Sequence, residues 1–220
     1  MHTDSHKSKR LYTLGEEIAN AVIHGLGAAL SVVGMIMLVL YSARLGDTVR
    51  VVSFAIFGTT LIALYLSSTL YHSIQHAGAK RILREIDHAT IYLLIAGSYT
   101  PILLIPLRGP WGWTLLPLIW GLAILGIIYQ IFSTKSKGKF GLVTYLLMGW
   151  LCVVALHQMI INIPAGGLYW LFAGGLFYSV GTIFYGWHKL LYHHAIWHLF
   201  VLAGSASHFI SMWLYVLPKG

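Results

Sequence analysis

Charge is what this chain has least of. Only 9% of its 220 residues are Asp, Glu, Lys or Arg, against roughly 25% in soluble domains. Hydrophobic residues make up 58%, and the mean hydropathy is +0.76. A soluble fold of this size must cover its core with polar surface, and the material for that surface is missing. The sequence contains a single cysteine, Cys152, inside an apolar run. That excludes an intrachain disulfide and a cysteine zinc cluster. No short apolar segment follows a basic start, and no small-residue cleavage site precedes the first hydrophobic run, so no cleaved signal peptide is expected. There is no repeat of fixed length and no sign of a second domain. Acids are scarcer than bases, six against fourteen, for a formal net charge of +8. In a soluble protein that excess would suggest nucleic acid. Here the bases fall in short gaps between hydrophobic stretches, where membrane orientation accounts for them, and no nucleic-acid partner is expected.

Long apolar runs are present in their place. A hydrocarbon core about 30 Å thick needs about 20 helical residues. Runs of that length lie near 18–41, 51–72, 87–107, 113–132, 141–161, 167–187 and 195–217. The expected fold class is all-α, a seven-transmembrane helix bundle forming one membrane domain over 15–217. A tail covers 1–14, and a short end covers 218–220. Pro110 and its flanking glycines mark a tight turn, and Pro101, Pro106 and Pro117 bend or end spans. With the N-terminus in the cytoplasm, the inner segments hold ten of the Lys and Arg residues, including Lys7, Lys9, Arg10, Lys80, Arg81, Arg84, Lys135, Lys137, Lys139 and Lys189. The outer segments hold four, Arg44, Arg50, Arg108 and Lys219. This bias puts the N-terminus inside and, seven being odd, the C-terminus outside.

Polar residues inside spans are costly and call for a functional hypothesis. Ser68 and His72 stand four apart at the cytoplasmic end of the second span, Asp87 at the start of the third, and His194 and His198 four apart at the start of the seventh. Glu17, Asn20 and His24 follow one face of the first as a supporting polar network. These groups come from four helices of alternating direction yet fall at one depth. Three imidazoles from two helices can surround one zinc ion and leave a position open, as catalytic zinc sites commonly do. His72, His194 and His198 are the expected ligands. Asp87 is either a fourth ligand or, the favoured role, a base beside a water activated by the metal, unless it merely caps its helix. Ser68 can donate a hydrogen bond to substrate or water, or bond its own backbone. Glu17 can equally be a first-turn acid favoured by the helix dipole. His76, His88, His157, His188 and His193 read as packed or interfacial, and His2 and His6 belong to the tail. His208, about 15 Å beyond His198 along the helix, lies too far to share the ion.

The pieces "EEIANAVIHG", "SSTLYHS", Asp87 followed by "IYLLIAGSYTP", and "HHAIWHLFVLAGSASHF" together resemble the hemolysin III proteins of bacteria, a branch of the superfamily that includes the adiponectin and progestin receptors. The resemblance extends over roughly 15–217. It implies a multi-pass protein of the bacterial cytoplasmic (inner) membrane, with seven helices and the N-terminus inside. It also implies zinc held by three histidines, which fall on His72, His194 and His198. The family aspartate that reaches the metal through water falls on Asp87, and the family serine on Ser68. The long N-terminal extension of the animal receptors is missing, so no peptide hormone is expected.

Ceramidase activity in related membrane proteins implies, by the same resemblance, hydrolysis of a lipid amide or ester and a place in membrane lipid homeostasis. The expected partners are membrane lipids, ceramide-like or other acyl lipids of the inner leaflet. Two other classes stand beside this one. One is a non-catalytic lipid sensor or regulator with a structural zinc clasp, which a closed four-ligand site would favour. The other is a hemolysin-like cytolytic protein. Outside the cytoplasmic cluster the spans show few polar residues and no continuous polar stripe, which argues against a pore and against an ion transporter.

Overall fold

The computed structural model describes residues 12–133 and 137–217, the side chains of 137–139 excepted. His2, His6, Lys7, Lys9, Arg10, Lys135, Lys219, the side chains of Lys137 and Lys139, and the end at 218–220 lie outside the described residues. Among the described residues the chain is all helix. The elements are α1 (Leu14–Arg44), α2 (Thr48–Ser73), α3 (Ala77–Leu104), α4 (Pro110–Phe132) and α5 (Lys137–Gly149). A 3-10 segment (Trp150–Ala155) leads into α6 (Leu156–Asn162), followed by α7 (Ala165–Gly186) and α8 (His193–Ser211), which runs on as a π-helix over Met212–Val216.

Local chemistry sets the helix ends. Thr13 opens α1 with a capping box. Its hydroxyl accepts from the Glu16 N–H, while Glu16 Oε2 accepts from the Thr13 N–H at 2.8 Å. Asp47 caps α2 by accepting from the Arg50 N–H at 3.0 Å, and also pairs with the Arg50 guanidinium. The Arg50 backbone N–H, and then its side chain, hold the Asp47 carboxyl below the usual carboxylate range. His76 caps α3, its Nδ1 accepting from the Ala79 N–H. Asp87 is therefore not a cap: it lies inside α3, which starts at Ala77 and not near Asp87 as the apolar run had indicated. Pro101 falls in the last turn of α3, Pro106 just beyond its end, and Pro117 inside α4.

Among the described residues, six helical stretches are long and apolar enough to cross a membrane: Leu14–Arg44, Thr48–Ser73, Pro110–Phe132, Phe140–Asn162, Ala165–Gly186 and His193–Val216. The 28-residue α3 differs in carrying Lys80, Arg81, Arg84, Glu85 and Asp87 in its first half. The molecule is a multi-pass membrane bundle. Its helices show an inside-out pattern. On α1, Glu17, Asn20, His24, Gly27, Ser31, Gly34 and Leu38 are buried, while Ile18, Val22, Leu26 and Leu30 are exposed. Small and polar residues form the seam because lipid tails compete for the large apolar ones. The packing of α2 on α3 shows how close that seam comes. A Cβ at Gly97 would lie 2.1 Å from Thr60 Oγ1, so only glycine fits.

Helices α1 to α4 pack in sequence, α7 packs on α8, and α8 returns against α1. That return brings the N-terminal ends of α1 and α8 beside the C-terminal end of α2. By contrast, α5 touches α3, α4 and α7 only sparsely. The looseness leaves a cavity of about 180 Å³ bounded by α3, α5 with its 3-10 segment, α7 and α8. Tyr99 of α3 serves the broken helix. Its hydroxyl lies 2.8 Å from the Gly149 carbonyl, 3.0 Å from that of Met148, and accepts from the Cys152 N–H. Irregular backbone at membrane depth is tolerated where such partners are supplied.

Candidate metal centre

Each of the three histidines owes its place to helical spacing. His194 and His198 are one turn apart on α8, so their rings meet edge to face at 4.4 Å between centroids. His72, in the last turn of α2, faces both, 5.2 Å from each ring. One ring nitrogen from each of the three lies within 4.8 Å of the others, and all three residues are buried. His72 Nε2 and His198 Nε2 are 3.3 Å apart. Two imidazole nitrogens on a tetrahedral ion, bonded at about 2.0–2.1 Å, stand about 3.3–3.4 Å apart.

The hydrogen bonds around the cluster fit the same reading. Glu17 Oε2 lies 2.6 Å from His72 Nδ1. The Nδ1–H donates to that carboxylate, so Nε2 presents its lone pair to the other rings. The Asn20 amide lies 3.3 Å from the same Nδ1, and Lys80 Nζ holds the other Glu17 oxygen at 2.8 Å. A shared proton could satisfy the His72–His198 pair, but among the described residues neither nitrogen of His194 has a hydrogen-bond partner, and neither does His198 Nδ1. Buried, unpartnered nitrogens are costly. A cation among the three rings gives one His194 nitrogen a partner and takes the facing lone pairs of His72 and His198, and a carboxylate on the far nitrogen of a ligand histidine is the usual support for one. The residues fit a metal ion.

The remaining expected residues fall around this cluster with different degrees of engagement. Glu17 and Asn20 contact His72 directly. His24 packs its ring 3.6 Å from that of His198, with neither nitrogen partnered. Asp87 is buried on the cavity wall beside His24, His194 and His198. Its carboxyl lies 3.8 Å from His88 Nδ1 and within electrostatic reach of His72 and Ser68. Ser68 is fully buried beside the Asp87 carboxyl, and among the described residues its Oγ makes no close hydrogen bond, its own backbone included. His193 is packed as expected, its Nδ1 3.1 Å from the Phe184 carbonyl.

Several neighbours had no signal in the sequence. Tyr12, placed in the tail by its polar surroundings, packs over the cluster, 4.9 Å from the His194 ring and 5.9 Å from that of His72. Burial raises its phenol above the ordinary value, so it stays protonated. Glu16 reaches past its own cap to accept from the Tyr192 N–H, tying α1 to the turn before α8. Deeper in the bundle, Tyr65 and Tyr178 meet at Ser205 Oγ, each at 2.8 Å. The i, i+4 rule could flag Glu17 with His72's helix only by depth. Nothing local could pair Tyr65 with Ser205 across 140 positions.

A helical membrane bundle with three converging histidines at one end defines the class of protein. The chain belongs to the Haemolysin-III related family, whose model matches residues 12–209. It is 51% identical over 203 residues to Hemolysin-3 of Bacillus cereus, covering 92% of this chain and 93% of that one. It is 49% identical over 205 residues to the Hemolysin-3 homolog of Bacillus subtilis (strain 168), covering 93% and 96%. At greater distance, it is 32% identical over 213 residues to the human Monocyte to macrophage differentiation factor, covering 93% and 86%.

Proposed function

We propose that the protein is a zinc-dependent hydrolase of a lipid amide or ester in the bacterial cytoplasmic membrane, working in membrane lipid homeostasis. In this reading α3 is the seventh crossing, the N-terminus is cytoplasmic and the C-terminus outside, and the chain shares a superfamily with the adiponectin and progestin receptors. One observation carries the proposal. His194 and His198 of the cluster, together with Asp87, border a largely apolar cavity instead of being sealed in the core. A structural clasp has no need of such a cavity. A site for an acyl chain needs both, with apolar walls for the chain and polar groups at one end for its carbonyl.

His72, His194 and His198 would hold the metal, with Glu17 fixing the His72 ring. When bound, zinc supplies Lewis acidity toward a carbonyl and toward water. The Asp87 carboxylate takes the proton of the attacking water as the new C–O bond forms. It passes that proton to the departing nitrogen or oxygen as the old bond breaks. Ser68 Oγ–H, beside Asp87, donates to a substrate oxygen. Apolar walls keep bulk water from the reacting carbonyl.

The test is metal content of detergent-purified protein, followed by release of fatty acid from ceramide and from acyl esters. About one zinc per chain is expected, lost in His194→Ala/His198→Ala. Asp87→Asn is expected to keep the zinc and lose at least about a hundredfold in turnover, the scale of a removed general base. Protein purified without chelator and free of metal would end this reading. Full zinc with no turnover on any acyl lipid would favour the sensor with a structural clasp.

A further inference from the structure

The cavity has a second polar end. His208 follows His198 by ten residues on α8, about 15 Å along the axis, and its ring lines the same cavity. Its Nε2–H donates to the Leu171 carbonyl at 3.2 Å. That bond fixes the tautomer and leaves Nδ1 as an acceptor, with no partner among the described residues.

The ring is held from several sides. Tyr178 meets it edge-on at 5.5 Å. The Tyr178 hydroxyl is in turn fastened to Ser205 Oγ, where Tyr65 of α2 also bonds. On α7 a Cβ at position 174 would lie 2.3 Å from His208 Cδ2, so Gly174 leaves the space in which the ring sits. An imidazole at this depth is costly and calls for a role. Helix-to-helix bonding accounts for Nε2 alone. The acceptor Nδ1, on a ring that lines the cavity, remains.

We propose that His208 Nδ1 accepts a hydrogen bond from a donor carried part-way along the ligand's acyl chain, so that the cavity selects mid-chain-hydroxylated acyl lipids over plain ones. This rests on the reading of the cavity as an acyl site. Carbonyl chemistry is assigned to the histidine cluster and Asp87, and chain recognition to the far end. A plain chain leaves the acceptor unpaired, which is how a polar group in an apolar site discriminates.

The test measures binding, so it does not depend on turnover. Full-length protein in detergent is titrated with stearic acid and with mid-chain-hydroxylated stearic acid, each displacing a fluorescent long-chain fatty acid. Wild type is expected to hold the hydroxylated acid about tenfold more tightly, the worth of one hydrogen bond. His208→Leu is expected to abolish that preference while keeping affinity for stearic acid. His208→Asn, which keeps an acceptor near the Nδ1 position, is expected to retain most of it. Equal affinities in wild type overturn the proposal even if no variant folds. So does a preference that survives in His208→Leu, which would leave His208 as a tie between α7 and α8. If neither acid binds, the acyl reading of the cavity falls as well, a result distinct from equal binding.

Discussion

A carboxylate on the far nitrogen of a metal-facing imidazole fixes which nitrogen carries the proton and makes the other a stronger donor. Glu17 stands in this position on His72, and Lys80 holds the carboxylate in place. Glu17→Gln keeps the shape but weakens the acceptor and removes the charge that balances Lys80. Zinc affinity is expected to fall about 10- to 100-fold, the usual effect of losing such a support. Competition with a zinc-binding dye measures it directly. An unchanged affinity would mean that the carboxylate serves α1 packing and not the metal. Tyr12 predicts a different pattern. It contacts two of the histidine rings through its face but offers them no ligand atom, so Tyr12→Ala should leave zinc stoichiometry at about one per chain. The same variant should speed metal loss to a chelator, because the ring covers the cluster.

At the scale of the helix, the ends and the seams do different work. Asp47 stabilises the start of α2 through the Arg50 N–H and guanidinium. Its carboxyl sits below the usual range in the folded protein, so its contribution is present above the unfolded carboxyl value and is lost as pH falls through the folded one. The group is partly exposed, so the charge part is small after screening. Asp47→Ala should cost about 1 kcal/mol at neutral pH. Asp47→Asn, which can still cap, should cost less and flatten this part of the acid-side decline. Thermal unfolding in detergent across the acidic range checks both, and a variant pH profile parallel to wild type would remove Asp47 from the account. The broken stretch at Trp150–Ala155 belongs to the same scale. The Met148 and Gly149 carbonyls just before it are met by Tyr99 from another helix, so α3 and the break form one unit along the cavity wall.

For the molecule as a whole, the sequence disclosed the membrane class, because composition survives any folding, and most helix positions, because apolar runs must match the bilayer. It also disclosed the histidine cluster, since i, i+4 spacing and shared depth are properties of individual helices. The start of α3 was hidden because Lys80, Arg81 and Arg84 interrupt the apolar run without interrupting the helix. The cavity was hidden because it exists only between helices, chiefly α3, α5, α7 and α8. The Tyr65–Ser205–Tyr178 junction was hidden because its members come from three helices. These same facts predict how the whole bundle responds to a metal bound at the cluster. His72 closes the α2 end of the cluster and His194 and His198 the α8 end, while α2 and α8 meet chiefly through this cluster and the Tyr65 contact. A ligand bound only by the folded state stabilises it by about 2.7 kcal/mol at a hundredfold excess over its dissociation constant. Adding a strong chelator should therefore lower the unfolding temperature of wild type by several degrees. It should leave His194→Ala/His198→Ala unmoved, because that variant has no site to empty. Tyr65→Phe should make wild-type protein more dependent on the metal, since it removes the second tie between the same two helices. A chelator effect of equal size in the triad variant would place the metal elsewhere in the molecule, and the three buried histidines would then be a proton-sharing network.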